Sequence, residues 1–299
     1  MKLFYEPAYV GAAHSFETTR KSGWIAASLA QSPIQGVEVV PPTSHAECEA
    51  AIEAMHEPIY VNAVRTGTPR RLAESQCFTW DPNFYKMVLA STTGVLDAAR
   101  QALVDGVSGS LSSGLHHARY AHGAGACTFN GLAIAAKAMK TVDRNVLIVD
   151  LDAHCGGGTY SLVNGMYEVR QIDVHTVPEW DSYNPQPSAR FSLDFVADAS
   201  KYLDIVKARL DAVPDDIGLV LYNAGMDPFE RCSDGALEGM SFDVIAAREA
   251  LVFDWCQRRG FPVAFVMAGG YLSSNFTQDE LVRLHRMTIS EAARTVSRR

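Results

Sequence analysis

The chain alternates between short apolar runs and longer segments in which apolar residues recur with helical spacing. Six of the short runs contain β-branched or other strongly apolar side chains and are too short for helices, so they predict buried parallel strands. They lie at residues 3–5, 37–40, 146–151, 169–174, 219–222 and 263–267.

Longer segments between these runs predict helices. Apolar residues at 84, 88, 95, 99 and 103 form one stripe along a helix over residues 84–104. Thr128 is the predicted N-cap of a helix that runs through Leu132, Ala136 and Met139. Residues 243–258 and 278–294 have the same pattern. Strands that alternate with helices predict an α/β fold whose parallel sheet is covered on both faces.

The pattern continues without a linker, a low-complexity segment or an internal repeat, so we predict a single domain over residues 1–299. The 47% of hydrophobic residues is enough for a large core. A net charge of −8 argues against nucleic-acid binding, which needs clustered Lys and Arg. A charge of this size is otherwise typical of a soluble protein. No apolar run approaches the roughly 18 residues that span a bilayer, so no membrane association is expected.

The cysteines predict a reducing compartment. The chain has six, at positions 48, 77, 127, 155, 232 and 256, and no two of them form a CxxC pair. The first nine residues lack the apolar segment of a secretory signal. We therefore expect reduced thiols and a cytoplasmic protein.

The strand at residues 146–151 leads into the most informative segment of the sequence. Asp150, Asp152 and His154 alternate, so an extended chain directs all three side chains to one side. Three glycines follow at 156–158 and permit tight turns near a bound ion. The alternative interpretation, that these acids only cap the following turn, is the more common one for an isolated Asp-x-His pattern.

A second strand end supplies a third candidate ligand. Asp227 follows the strand at 219–222, and ligands of open α/β sheets gather at the carboxyl ends of strands. Asp152, His154 and Asp227 would form a three-ligand site with an open position for water or substrate. Two carboxylates and one imidazole suit Zn²⁺, and Fe²⁺ is compatible with the same donors.

Two further features are ambiguous when taken alone. His116 and His117 are adjacent in a loop rich in Gly and Ser, where a histidine pair can also be an ordinary polar loop. Tyr271 follows Gly269 and Gly270 at another strand end, a position where tyrosine most often serves packing.

In combination and in order, these motifs resemble the histone deacetylase superfamily, which includes bacterial acetylpolyamine amidohydrolases and acetoin-utilisation proteins. The motifs occupy residues 114–118, 125–130, 150–154, 225–228 and 269–271, so the resemblance covers most of the chain. It implies an arginase/deacetylase-like fold, in which a parallel eight-stranded sheet is sandwiched between helices.

The resemblance also implies roles for individual residues. Asp152, His154 and Asp227 match the zinc ligands, His116 and His117 match the tandem catalytic histidines, Asp150 matches the acid that supports the first histidine, and Tyr271 matches the transition-state tyrosine. The family also implies a structural K⁺ ion, held here by Asp150, Asp152, His154, Asp173 and Val174.

Four positions depart from the family pattern. Ala126 replaces a Phe that follows Gly125, which removes one aromatic wall of an acyl-lysine tunnel, whereas Trp180 matches the opposite wall. The alternative is that a neighbouring side chain, Trp180 or Tyr183, fills the gap and restores the tunnel. Cys155 replaces a second His. Gly157 replaces the Asp or Asn that partners the second tandem histidine, and Asp173 replaces a Ser at the cation site.

The expected activity is the hydrolysis of an N-acetyl or N-acyl amide by a metal-activated water, with His117 as general base and acid and Tyr271 as oxyanion donor. The substrate is expected to be an acetylated amine, a polyamine or a lysine, and a homodimer is possible. Two alternatives stay open: a non-catalytic sensor of a small ligand on the same scaffold, and an arginase-like ureohydrolase. The second lacks its further metal-binding acid, because the segment reads Asp152-Ala-His-Cys-Gly156.

Overall fold

A computed structural model describes residues 1–12, 14, 16–185 and 190–297. Within these residues, eight strands form one sheet, and every neighbouring pair is parallel. The strands are β1 (Lys2–Phe4), β2 (Glu38–Val40), β3 (Val107–Ser110), β4 (Asn145–Asp150), β5 (Val169–His175), β6 (Phe191–Phe195), β7 (Ile217–Gly225) and β8 (Val263–Ala268). They are arranged in the order β2-β1-β3-β8-β7-β4-β5-β6.

Helices cover both faces of this sheet. They are α1 (Lys21–Gln31), α2 (His45–Met55), α3 (Pro58–Thr66), α4 (Arg70–Ala73), α5 (Phe84–Asp105), α6 (Gly131–Met139), α7 (Gly157–Val163), α8 (Ala199–Asp211), α9 (Phe242–Arg259) and α10 (Gln278–Ser297). None of the helices in the described ranges is long and apolar enough to cross a bilayer.

Alternate residues of β4 pack into two separate cores. Leu147 and Val149 belong to a cluster that contains side chains of α1, α8, α9 and α10, whereas Val146 and Ile148 belong to a cluster with side chains of α2, α3, α5, α6 and α7. Successive strand residues point to opposite faces, so a strand that is apolar throughout must be covered twice. The α/β fold with helices on both faces is therefore confirmed.

All six strands predicted from apolar runs are present, with ends that differ by up to three residues. β3 and β6 were not predicted from the pattern. The capping residue of α6 was predicted wrongly: the Asn130 side chain accepts the N–H of Ala133 at 3.0 Å, whereas Thr128 lies two residues before the cap. A single domain over residues 1–299 stays a prediction.

Candidate active site

The three candidate metal ligands meet because β4 and β7 are neighbours in the sheet. Asp150 pairs with Asn223 at the carboxyl ends of these strands. Asp152 and His154 follow β4, and Asp227 follows β7. The parallel register therefore brings residues that are more than seventy positions apart to one edge of the sheet.

Asp152, His154 and Asp227 are buried and converge on one point. One ligand atom from each lies within 4.8 Å of the others, and this is the one such cluster of three or more His, Cys, Asp or Glu side chains in the part of the chain that the structure describes. Nδ1 of His154 lies 3.0 Å from Oδ2 of Asp227 and 3.3 Å from Oδ1 of Asp152. Two carboxylates and one imidazole nitrogen at these separations fit a single divalent ion.

Glycines leave room for this convergence. A Cβ at Gly269 would lie 2.0 Å from Oδ1 of Asp227 and 2.8 Å from Oδ2 of Asp152, and one at Gly225 would lie 2.4 Å from the Cα of Asp152. Gly269 also has a φ of +44°, which disfavours side chains. The glycines at these strand ends are therefore required by the close approach of the two carboxylates.

The pKa values in this trio reflect two carboxylates, Asp152 and Asp227, that lie against the same His154 ring. Burial and the nearby Asp152 raise the pKa of Asp227 to about 6. Burial lowers the pKa of His154, but its hydrogen bonds to Asp152 and Asp227 raise it more, to about 11. The pocket therefore stabilises positive charge between the two carboxylates, which is the requirement for a metal site.

His116 is buried behind the cluster and is held by Asp150. Nδ1 of His116 lies 2.7 Å from Oδ2 of Asp150, whose other oxygen accepts from the Asn223 side chain at 2.8 Å. Burial lowers the pKa of His116, but Asp150 and Asp152 outweigh it and raise the pKa to about 10. His116 is thus an imidazolium that adds positive charge beside the cluster.

His117 faces the cleft and differs from its neighbour in charge. Burial, His116 and His154 lower the pKa of His117 well below its usual value, so the ring is neutral. Nδ1 lies 2.8 Å from Oδ2 of Asp181, a residue that the sequence did not single out. The tandem pair therefore consists of one charged and one neutral imidazole, and the neutral one is able to accept a proton.

The cleft above the cluster has a volume of about 730 Å³, within the usual range for small-molecule sites. His117, His154 and Tyr271 contribute to its wall, together with Gly125, Ala126 and Trp180. Burial and the nearby Asp227 raise the pKa of Tyr271 well above its usual value, so its hydroxyl remains a hydrogen-bond donor. Of the candidate catalytic residues, His117 and Tyr271 thus line the same space as the predicted pocket residues Gly125, Ala126 and Trp180, whereas His116 and Asp150 are buried away from its wall.

Trp180, rather than Tyr183, provides the aromatic surface near Gly125. A Cβ at Gly125 would lie 2.4 Å from the Trp180 indole, so the ring covers the glycine. Tyr183 instead stacks on Tyr160, with ring centroids 4.2 Å apart. Tyr183 is absent from the cleft lining, whereas Trp180 and Ala126 are both present.

A second aromatic wall was not predicted from sequence. Phe16 stacks on Tyr271 with ring centroids 4.9 Å apart, and His14 stacks on Phe78 at the same distance. The ring centroids of Phe16 and Phe78 are 6.0 Å apart. His14, Phe16 and Phe78 all line the cleft. They come from segments near the N-terminus and around residue 78, for which the sequence predicted no role in a pocket.

The cleft also has acidic and thiol groups that were not predicted. Asp234 is largely exposed, with Oδ1 3.4 Å from Nε2 of His154, on the ring edge opposite the metal-facing nitrogen. Cys77 is exposed and lines the opening. Both lie in loops, where the sequence offers no periodic signal.

The predicted monovalent-cation residues lie together beside the cluster. Asp173 pairs with Asp150 in the register of β4 and β5, and Val174 follows it. Oδ2 of Asp173 accepts from the backbone N–H of Gly156 at 2.6 Å, whereas its buried Oδ1 has no hydrogen-bond partner among the described residues. Burial and the neighbouring Asp150 raise the pKa of Asp173 well above its usual value.

Comparison with known proteins finds a domain and relatives that match most of this chain. The histone deacetylase domain matches residues 14–281. An uncharacterized protein of Picosynechococcus sp. is 31% identical over 252 residues, which covers 83% of this chain and 82% of that protein. Histone deacetylase 2 of Arabidopsis thaliana is 28% identical over 243 residues, 74% of this chain and 60% of the plant protein.

A solved structure shows the same fold. The acetylpolyamine aminohydrolase from Burkholderia pseudomallei superposes with a TM-score of 0.79 at 17% identity, over 97% of this chain and 98% of that one. The fold is thus the arginase/deacetylase-like one that the sequence predicts. With a domain match that spans most of the sequence, the chain belongs to the histone deacetylase family.

Proposed function

We propose that this protein hydrolyses an N-acetyl or N-acyl amide with the help of one divalent ion held by Asp152, His154 and Asp227. Zn²⁺ suits the three donors best, and Fe²⁺ is compatible with them. The observation that carries the proposal is that His154 of the buried trio, the neutral His117 and Tyr271 line one cleft. An ion held by these residues would lower the pKa of a water molecule and polarise a carbonyl.

The chain's own residues account for the proton transfers. His117 accepts a proton from the attacking water and then donates it to the leaving amine, since its neutral ring faces the cleft. Tyr271 donates a hydrogen bond to the oxygen on which negative charge develops. His116 remains protonated and adds a favourable field for that charge.

A monovalent cation, expected to be K⁺, is part of the proposal. Asp150 and Asp173 would hold it with their side chains, together with the backbone carbonyls of Asp152, His154 and Val174. The unpartnered Oδ1 of Asp173 supports this assignment, because a buried carboxylate oxygen requires a cation, a donor or a proton.

The test is a turnover assay on metal-loaded protein with three substrates: a small acetylated amine, an acetylpolyamine and an acetyl-lysine peptide. We expect release of the acid from at least one of them and loss of activity with a chelator. His117→Ala should lower kcat while KM changes little, because a general base acts in the transition state. Binding of these amides without turnover would instead identify a sensor, and urea release from a guanidino substrate a ureohydrolase.

A further inference from the structure

The carboxylate of Asp181 is bonded to the histidine that faces the cleft. Its Oδ2 lies 2.8 Å from Nδ1 of His117 and accepts the backbone N–H of Gly158 at 3.2 Å, while Oδ1 accepts from the guanidinium of Arg119. The Asp181 side chain is only 7% exposed, so these donors replace water around its charge. We propose that Asp181 is the positioning residue for His117 in the hydrolysis proposed above, on which this inference rests.

The contact determines which nitrogen of His117 can accept a proton. A carboxylate accepts but does not donate, so Nδ1 must carry the ring hydrogen of the neutral imidazole. Nε2 is then the unprotonated nitrogen and is available to accept a proton in the cleft. When Nε2 takes up a proton, the adjacent carboxylate stabilises the resulting imidazolium. Asp181 thus acts through His117 and does not itself contact the substrate.

The start of α7 and the residues just before it leave room for Asp181. A Cβ at Gly157 would lie 2.0 Å from the backbone oxygen of Asp181 and 2.9 Å from its carboxylate, so no side chain fits at that position. The thiol of Cys155 donates to the backbone oxygen of Trp180 at 3.1 Å. Two departures from the family pattern, Cys155 and Gly157, therefore anchor and accommodate the loop that supplies a carboxylate to His117.

The loop adopts a strained backbone to make these contacts. Glu179 and Asp181 have φ values of +64° and +54°, in the left-handed region that residues other than glycine rarely adopt. Between them, Trp180 places its ring 4.2 Å from that of His117. One turn therefore brings both an aromatic ring and a carboxylate to the same imidazole, and strain of this kind concentrates at functional sites.

The variants that test the assignment keep the backbone of this turn. Asp181→Gly removes the carboxylate and suits the left-handed conformation, and Asp181→Asn keeps the shape and one acceptor oxygen. Glu179→Gly is the matched control, because Glu179 is exposed and has the same backbone conformation two residues away. All are compared with the wild type as zinc-loaded, folded protein.

The first readout is independent of activity. In ¹⁵N-histidine NMR spectra of the wild type, His117 should be protonated on Nδ1 with a downfield N–H signal. Asp181→Gly should lose that signal, and Glu179→Gly and Asp181→Asn should retain it, since the Asn oxygen can still accept the Nδ1–H. A His117 signal that is unchanged in Asp181→Gly would overturn the assignment.

The second readout is kinetic. Asp181→Gly should lower kcat by about 10²-fold, the usual contribution of a positioned base, with little change in KM or metal content. Asp181→Asn should recover at least about tenfold of this loss, and Glu179→Gly should match the wild type. An equal fall of kcat in Asp181→Gly and Glu179→Gly would overturn the positioning role. A wild type without turnover would refute the proposed function alone, because the NMR comparison still decides whether Asp181 orients His117.

Discussion

The indole of Trp180 meets the imidazole of His117 edge to face, with ring centroids 4.2 Å apart and an angle of 86° between the planes. The same indole covers Gly125, while Ala126 presents only a methyl group to the cleft. The cleft therefore has aromatic surface at Trp180 and at Phe16 and Phe78, but none at position 126. We therefore expect a slot that is open at position 126 rather than a closed tunnel.

The open side at position 126 should set the substrate preference. We expect the wild type to prefer a bulkier or differently shaped amide over protein acetyl-lysine, because no ring at this position grips a flat methylene chain. Ala126→Phe should shift the ranking of a small acetylated amine, an acetylpolyamine and an acetyl-lysine peptide toward the peptide, as measured by kcat/KM. Val177→Phe is the control, since it adds a ring elsewhere in the same cleft. An unaltered ranking in Ala126→Phe would mean that position 126 does not shape the slot.

Removal of the Tyr271 hydroxyl should affect rate and leave the fold intact. Tyr271→Phe retains the ring that stacks on Phe16, so the metal content and melting temperature should stay unchanged. Loss of one oxyanion donor lowers kcat by about 10²–10³-fold. Tyr167→Phe removes a hydroxyl from an exposed ring and serves as the control. A wild-type kcat in Tyr271→Phe would remove this tyrosine from the mechanism.

One divalent ion per chain should bind tightly. Asp152→Ala should lose the ion, because the two remaining ligands replace fewer of the water molecules that the ion gives up on binding. Asp234→Asn should keep the ion, since Asp234 approaches the Nε2 side of His154 rather than its metal-facing Nδ1. Elemental analysis decides between these outcomes. Two ions at equal occupancy, both lost in Asp152→Ala, would contradict a single site.

β3 and β6 could not be predicted from the apolar pattern, for physical reasons. β3 is fully buried but contains two serines and a glycine, and a Cβ at Gly109 would lie 2.4 Å from the ring of Phe265. Ser108 donates to the backbone of Lys2, so burial there needs no apolar side chain. β6 is an edge strand that alternates apolar and polar residues, and it was too short and mixed to stand out.

The predicted part of the site follows from chain direction. Asp152, His154 and Asp227 lie just beyond strand ends. A parallel sheet brings these ends together independently of the conformation of the loops. Phe16, Phe78 and Asp181 reach the cleft from loops whose paths depend on tertiary contacts, such as the space at Gly157. Sequence could predict which candidate metal ligands lie together, but it could not identify the surrounding walls or the partner of His117.

His56 should make the stability of the fold depend on pH. It is buried, its Nδ1 donates to the backbone oxygen of Arg119 at 2.9 Å, and its Nε2 accepts the N–H of Asn130 at 3.1 Å. This neutral ring thus connects the loop of the tandem histidines to the cap of α6. Burial lowers the pKa of His56 from 6.5 to about 4.

The sign of the effect follows from the depressed pKa of His56. Between pH 6.5 and 4, the unfolded chain binds a proton at His56 that the folded chain does not, so the stabilisation is complete above pH 6.5 and is lost as pH falls toward 4. A shift of this size corresponds to about 3 kcal/mol over that range. Urea unfolding from pH 7 to 4 should show a shallower loss of stability in His56→Gln than in the wild type, whereas the exposed His122→Gln should follow the wild type. Parallel pH profiles for His56→Gln and the wild type would show that His56 is not protonated preferentially in the unfolded chain.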